Sequence, residues 1–247
     1  MSQGSSWYQV QVLLKRWSAL EAARIVGALR AWRSDVALVS STVSELVVNI
    51  PTEDLPLRAA IFHALPDDYA EPLQHSLAWS PAWQEPWPVT AKRCPASIVI
   101  AMAAPRPLNY SSRLLAFLAL LDAVLFSLDE ADRKDAVLHW IPAQQLMTFD
   151  HYVALRTHLG PCGPAVNIRV ANATGRPGEL LADTIGLAEL GLPDLQIVFS
   201  DRDPAEIILR LRLLVRGMLA GERLDCSWIE ETAFVPPARD ALTLQLE

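Results

Sequence analysis

The chain of 247 residues is long enough for one large domain or for two small ones that share a core. Apolar residues make up 51% of the sequence and charged residues 20%, which is the composition of a packed globular protein. The formal net charge of −7 disfavours nucleic acid as the main partner, because a phosphate backbone is bound by clustered cations.

The first 66 residues predict a β-α-β-β-β half. Apolar side chains alternate with polar ones over residues 7–15, which indicates a half-buried strand. Ser18 and Glu21 have the spacing of a capping box, and an apolar stripe that ends at Trp32 then recurs at helical intervals, so a helix is expected next. Three short apolar or alternating runs predict three further strands over residues 36–41, 46–50 and 57–65.

Residues 67–95 are predicted to form a connecting loop, because closely spaced prolines oppose regular structure. The segment also contains Trp79, Trp83 and Trp87. Large aromatic rings commonly serve as core mass, so one interpretation is that these rings cover the sheet, and the alternative is a partner-binding loop. In the second case the acidic residues of the segment favour a protein partner with a cationic surface: Asp67, Asp68, Glu71 and Glu85.

Residues 96–231 predict a C-terminal α+β half. The continuous apolar run over 97–102 indicates a central strand, and an apolar helix over 111–128 follows it. The pattern then predicts a strand over 137–141, a helix over 143–158, three strands over 166–170, 180–184 and 195–199, and a helix from Asp203 to Gly221. Residues 232–247 show little periodicity and are expected to be a weakly ordered tail.

This order of elements predicts an α+β fold. We expect a mainly antiparallel sheet with helices packed on one face, built as two ferredoxin-like halves that share a core in one compact domain. The sequence starts without the cationic and apolar pattern of a signal peptide, and Asp122 interrupts an apolar run that is shorter than the ~20 residues needed to span a bilayer. A cytoplasmic protein without membrane contact is therefore expected.

Common motifs of catalysis and of cofactor binding are absent from the sequence. It has no Gly-rich phosphate loop, no dinucleotide fingerprint and no Gly-x-Ser-x-Gly nucleophile elbow. His151 and His158 are seven residues apart and have no carboxylate or cysteine between them, and the three cysteines are too dispersed for a disulfide framework or a zinc site. We therefore predict neither a cofactor nor a metal site.

Two polar residues lie in strongly apolar surroundings. Asp122 is in the middle of the apolar helix, where an ionised carboxylate is costly unless it is paired, and Arg58, Arg113 and His139 are candidate partners. His139 lies within an apolar strand and is interpreted as a hydrogen-bonded core histidine. Both residues are thus predicted to be structural. The alternative is an enzyme site of dispersed residues that joins Asp122, His139 and Cys162.

A motif in residues 183–197 is similar to that of a known family. The chain reads Asp183-Thr184-Ile185-Gly186-Leu187, then Leu190-Gly191-Leu192-Pro193-Asp194-Leu195-Gln196-Ile197. This pattern and the long helix after it resemble the threonine, small-residue and Gly-Leu-Pro-acidic signature of the bacterial DUF4261 family, whose function is unknown. The resemblance is strongest over residues 182–229 and weaker through 94–149, and the family's closing Gly-Asp-Thr-type turn is replaced here by Leu224-Asp225-Cys226-Ser227-Trp228. It implies a fold and assigns no catalytic residues.

These observations favour a non-enzymatic protein-binding module over an enzyme. A compact, acidic bacterial protein without a catalytic motif is typical of an immunity or adaptor protein that docks a toxin or a secretion-system component, since such a role needs only a complementary surface. The alternative is the small-molecule enzyme with the dispersed site named above.

Overall fold

The computed structural model describes residues 7–52, 56–80, 83, 86–103, 110–174, 176–221 and 241–245. The N-terminal part contains β1 (Trp7–Leu14), α1 (Ala22–Trp32), β2 (Ala37–Ser41), β3 (Glu45–Ile50) and β4 (Leu57–Ala64). A 3₁₀ turn (Pro66–Tyr69) and the helices α2 (Ala70–Ala78) and α3 (Trp87–Arg93) follow.

The C-terminal part begins with β5 (Ala96–Ala103), α4 (Tyr110–Ser127) and α5 (Glu130–Asp135). It continues with β6 (Val137–Trp140), β7 (Gln145–Thr148), α6 (Phe149–Leu159), β8 (Asn167–Asn172) and β9 (Leu180–Ile185). The last elements are β10 (Asp194–Phe199), α7 (Pro204–Ala220) and β11 (Ala241–Gln245). None of the helices within the described ranges is long and apolar enough to cross a membrane.

A seven-stranded antiparallel sheet in the order β2-β3-β4-β5-β1-β6-β7 forms the centre of the molecule. Strand β1 pairs on one side with β5 and on the other with β6. The N-terminal segment therefore lies between strands of the C-terminal segment, and the two predicted halves share one sheet. The predicted α+β class is confirmed.

A second sheet of four strands has the order β11-β10-β9-β8. Strand β11 pairs in parallel with β10, whereas the other pairs are antiparallel. The prediction of a weakly ordered tail over 232–247 is therefore wrong for residues 241–245, and the rest of that tail lies outside the described residues. Sequence periodicity missed this strand because five residues show too few alternations to be distinctive.

One apolar core joins the two sheets. The face of the large sheet that carries Val10, Val12 and Ile100 packs against α1 and α4, and the same cluster continues through Ile197 of the second sheet and Leu211 of α7. The opposite face of the large sheet is also partly covered. There Leu13 of β1 packs with Leu73 of α2 and with Cys94, which caps α3, so the expectation of helices on one face alone is wrong.

The segment 67–95 was expected to be a loop, but it contains a 3₁₀ turn and two short helices. Pro72 is the third residue of α2, and Pro88 is the second residue of α3. The first N–H groups of a helix have no intrahelical acceptor, so a proline in the first turn removes no hydrogen bond and presets the backbone angle. The prolines therefore mark where these helices start.

Two further predictions differ from the structure in detail. Residues 145–148 form strand β7, paired with β6, and only then does α6 begin, with Thr148 accepting a hydrogen bond from the N–H of His151. The helix predicted from Ser18 begins at Ala22, and the Glu21 carboxylate contacts Arg24 at 3.4 Å and makes no capping-box bond. Spacing alone did not distinguish these short elements from the first turn of a helix.

Candidate functional site

Two of the three predicted binding tryptophans are packed against the protein. Trp79 is half-buried, with the guanidinium of Arg169 4.5 Å from its ring centroid and its carbonyl accepting a hydrogen bond from Asn167 at 2.9 Å. Trp83 is also half-buried and packs against the small core cluster around Leu13. Trp83 thus covers the large sheet, and Trp79 is itself covered by Arg169 of β8. The side chain of Trp87 lies outside the described residues.

The structure describes three of the four acidic residues that were predicted to bind a partner. Asp67, Asp68 and Glu71 are exposed, and Glu85 lies outside the described residues. Asp68 also has a structural role, since its carboxylate accepts a hydrogen bond from the N–H of Leu65 at 3.1 Å. This acidic cluster lies at the start of α2, on the face of the large sheet opposite α1 and α4.

His139 is fully buried in a chain of hydrogen bonds beneath α2. Its Nε2 lies 2.8 Å from the Ser76 hydroxyl, and its Nδ1 lies 3.4 Å from the Gln11 side-chain oxygen. Gln11 in turn donates to Ser97 at 3.1 Å, and Ser97 donates to the carbonyl of Ala64 at 2.8 Å. Burial lowers the pKa of His139 to about 3, so this imidazole is neutral at physiological pH. The arrangement is that of a hydrogen-bonded core histidine.

Asp122 is paired, but with different partners from those considered. Tyr152 donates a hydrogen bond to Asp122 Oδ1 at 2.7 Å, and Arg156 forms an ion pair with Asp122 Oδ2. Arg156 also donates to the Tyr152 hydroxyl at 3.0 Å. The pKa of Tyr152 is raised, mainly by burial and to a smaller extent by the negative charge of Asp122. The candidates Arg58, Arg113 and His139 were wrong because the partners are on α6, and sequence periodicity does not show which helices pack together.

Two members of the dispersed enzyme site, Asp122 and His139, lie on opposite sides of the large sheet. Asp122 lies on α4 and contacts Tyr152, which stacks on Trp140 on the α4 side of the sheet. The His139 side chain points to the opposite side, towards Ser76 of α2. Successive residues of a strand face opposite sides of a sheet, so the sheet separates Asp122 from His139. The side chain of Cys162 lies outside the described residues.

The motif over residues 183–197 connects β9 to β10. Thr184 donates to the Asp194 carboxylate at 3.1 Å and accepts from the N–H of Leu195 at 2.7 Å, and Asp194 also accepts from the N–H of Leu187 at 3.0 Å. Burial raises the pKa of Asp194. Gly186 has a φ of 118°, and a Cβ atom there would lie 2.3 Å from the carbonyl oxygen of Ala165. The motif therefore stabilises a turn.

Arg113 attaches this turn to α4. It is 5% exposed, and its guanidinium donates to the carbonyl of Leu190 at 2.5 Å. Asp183, the first residue of the motif, forms a two-point pair with Arg169, the cation that covers Trp79. Of the residues that resemble the DUF4261 signature, Leu190 thus connects the motif to α4, whereas Asp183 pairs within the second sheet.

A surface that we did not predict from the sequence lies along α1 and α4. Arg24 of α1 donates to the carbonyl of Phe126 at the end of α4, and Trp32 lies in the same groove as Leu115, so the two helices run antiparallel. The groove between them has a volume of about 260 Å³. We call its apolar lining the α1–α4 strip: Ala28, Trp32, Leu115, Leu118, Ala119, Ala123 and Phe126.

Three of the four large side chains of the α1–α4 strip are open to solvent, whereas Leu118 is buried. Trp32 is 46% exposed, Leu115 45% and Phe126 55%. The paired Asp122 and Arg156 form the polar wall of the groove. The sequence contains a signal for this surface, because residues 114–126 have Asp122 as their single charged residue and so leave α4 without a polar face.

Among the described residues no three His, Cys, Asp or Glu side chains meet in a way that could hold a metal ion. Comparison of the chain with protein-family models, with curated proteins and with solved structures finds no match. The resemblance to the DUF4261 family therefore stays a prediction.

Proposed function

We propose that the protein is a non-enzymatic protein-binding module that docks an amphipathic helix of its partner on the α1–α4 strip. The observation that carries the proposal is the mismatch between the composition of α4 and its burial. A helix that is apolar on all sides is normally covered on all sides, yet Leu115 and Phe126 are exposed on the outer side of α4. A partner supplies the missing cover.

The shape of the strip supports a helical partner. Three alanines, Ala28, Ala119 and Ala123, line the groove between larger side chains contributed by Trp32, Leu115 and Phe126. Small residues between two antiparallel helices leave a groove into which the side-chain ridge of a third helix packs. Aromatic residues at such a site are frequent hot spots of binding energy.

The biological role we propose is that of a bacterial immunity or adaptor protein, which acts in the cytoplasm next to a toxin or a secretion system. The net charge of −7 suits a partner with a cationic surface, because opposite charges accelerate association. The exposed Asp67, Asp68 and Glu71 contribute to this field from the opposite face of the sheet. In this proposal the three acidic residues attract the partner and speed its association, and the α1–α4 strip forms the bound interface.

Photo-crosslinking in cells of the source organism tests the docking site. A photoreactive residue is placed at Leu115 or Phe126, and at the control position Val43, which is 82% exposed in the β2–β3 turn. We expect a discrete cross-linked partner from the strip positions and none from position 43. Equal cross-linking at all three positions would contradict the proposal.

Binding of the identified partner in purified form completes the test. We expect Trp32→Ala and Phe126→Ala each to weaken binding by about 2 kcal/mol, or about thirtyfold in Kd, whereas Val43→Ala leaves the Kd unchanged. Substitution of Asp67 and Asp68 by Lys should instead reduce the association rate at low salt. If both aromatic variants bind like the parent, the strip is not the docking site.

A further inference from the structure

A second groove lies on the other side of α6, where that helix faces α7 across strand β8. Its cavity of about 280 Å³ has an apolar lining of leucine, valine and isoleucine side chains from all three elements. Leu209 and Leu213 of α7 are 57% and 58% exposed along it. We call this cavity the α6–α7 groove. None of its own lining residues belongs to the α1–α4 strip, and the proposed function does not use it.

The ionisable side chains that line the α6–α7 groove are all basic. Arg212 and Arg216 line it from α7, and His151 and His158 line it from α6. None of the described lining residues is acidic. Within the described ranges neither arginine forms an ion pair or a side-chain hydrogen bond, although the protein as a whole carries seven more acidic than basic residues. Two unpaired arginines that line a groove of an otherwise acidic protein favour an anionic ligand.

The spacing of the two arginines suits one oxyanion head group. They are four residues apart on α7, so their side chains leave the same helix face about 5–6 Å apart. Two guanidinium groups at this separation can each donate hydrogen bonds to the same carboxylate or phosphate. Leu213, between them in sequence, and Leu155 on the facing helix provide the apolar surface next to that position.

The groove extends past the head-group position. A neighbouring cleft of about 440 Å³ shares His158, Leu159 and Arg216 with it. This cleft continues to Leu219 and Ala220 at the end of α7 and also reaches Leu115, at one end of the α1–α4 strip. The lining from Leu209 to Ala220 covers twelve residues of helix, whose eleven rises of 1.5 Å span about 17 Å. A cleft lined mainly by apolar side chains, with a small number of polar groups that fix the ligand's orientation, is typical of a small-molecule site.

We propose that the α6–α7 groove binds a small amphiphile, whose apolar acyl or aryl body lies between α6 and α7 and whose anionic head is held by Arg212 and Arg216. Carboxylate and phosphate heads share the chemistry that these two guanidinium groups recognise. A neutral hydroxyl head accepts hydrogen bonds from them without the charge that strengthens such bonds, and a cationic head is repelled by both arginines.

Calorimetric titration with matched eight-carbon probes below their micelle concentrations tests this proposal. The probes are octanoate, octyl phosphate, octanol and octyltrimethylammonium. We expect saturable binding of octanoate or of octyl phosphate, and the stronger of the two identifies the head group. Octanol is expected to bind about tenfold more weakly, and the cationic probe not at all. Absence of saturable binding by both anionic probes, or octanol binding as tightly as they do, would overturn the proposal.

Variants then place the ligand in the groove. Arg212→Gln with Arg216→Gln should weaken binding of the anionic probe about tenfold and leave octanol unchanged. Arg210→Gln is the matched control, because Arg210 lies on the same helix but pairs with Glu206 outside the groove. Leu213→Asp should abolish binding of both kinds of probe. An anionic probe that binds the double Arg variant as it binds the parent would overturn the site.

Backbone amide shifts give a readout independent of affinity. Octanoate should shift amide resonances of α6, β8 and α7 and leave those of α1 and β2 in place. The variant Phe126→Glu, which disrupts the α1–α4 strip, should bind octanoate like the parent. Failure of the amphiphile proposal is therefore distinguishable from failure of the protein-binding proposal. Shifts confined to α1 and α4 would overturn the assignment to this groove.

Discussion

The two faces of the seven-stranded sheet are buried with different chemistry. The face beneath α1 and α4 is filled by apolar and aromatic side chains, with Tyr8, Phe117 and Trp140 in mutual ring contact. The face beneath α2 carries a hydrogen-bonded chain that includes Ser76 and His139. The stability of the first face depends on how well its side chains fill the space. The stability of the second depends on the imidazole of His139 remaining neutral. Each should therefore fail under a different perturbation.

The largest effect is expected on the aromatic face. Phe117 is fully buried, and its ring centroid lies 4.8 Å from that of Tyr8. Phe117→Ala should lower the free energy of unfolding by about 3–5 kcal/mol, because it removes the contacts of a large ring and leaves a cavity. Denaturation by urea measures the loss. Phe126→Ala on the exposed side of the same helix is the control and should cost no more than about 1 kcal/mol.

The polar face should be broken by acid. The pKa of His139 is about 3 in the folded protein and about 6.5 in the unfolded chain, so the unfolded chain binds more protons between these values. The contribution of His139 to stability is complete above pH 6.5 and is lost as the pH falls below it. At pH 5 the folded state should be weakened by about 2 kcal/mol relative to pH 7.5.

A comparison with His139→Gln isolates this contribution from that of the carboxylates. Glutamine keeps hydrogen-bonding groups near Ser76 and Gln11 but does not titrate. The variant should be less stable than the parent at pH 7.5, and the difference between the two should shrink by about 2 kcal/mol at pH 5. Parallel stability curves for parent and variant from pH 5 to pH 7.5 would contradict the interpretation.

The pair between Asp122 and Arg156 should have a smaller effect, because both side chains are about one-third exposed. Asp122→Leu removes the acceptor of the buried Tyr152 hydroxyl and leaves Arg156 unpaired, at an expected cost of about 1–2 kcal/mol. The double variant Asp122→Leu with Arg156→Met should recover part of this loss. Thermal unfolding measures both, and equal melting temperatures for the parent and the single variant would argue against the pair.

Most strands of the large sheet were predicted from the sequence, because successive side chains of a strand point to opposite faces and the apolar pattern is local. The alternation over residues 8–14 predicted a strand, and the structure places Tyr8, Val10 and Val12 in the core, although Gln11 and Leu13 on the opposite face are buried as well. Asp203 at the start of α7 was likewise predicted, and its carboxylate accepts a hydrogen bond from the N–H of Ala205 at 2.9 Å. Strands and helices whose position is determined by neighbouring residues can therefore be predicted from the sequence.

Features that depend on distant residues were not predicted. The partners of Asp122 are 30 and 34 residues further along the chain, and periodicity contains no information about such pairing. The apolar stripe of α1 was expected to include Trp32 in the core, but Ile25, Val26 and Leu29 are buried and Trp32 faces solvent beside Leu115. Both grooves are formed by side chains from helices that are separate in sequence, so only the fold brings their residues together.

The smallest effect is expected from a change on the solvent side of α1, which leaves the apolar face intact. Gly27 lies inside α1, is exposed, and a Cβ atom there would have no heavy atom within 4 Å. Gly27→Ala should therefore raise the free energy of unfolding by about 0.5–1 kcal/mol, since alanine restricts the unfolded chain and favours the helix. Gly186→Ala is the contrasting control, because a Cβ atom there would collide with the carbonyl oxygen of Ala165. Urea denaturation should show the first variant more stable than the parent and the second less stable, and a loss of stability in Gly27→Ala would mean that α1 is packed on its outer side as well.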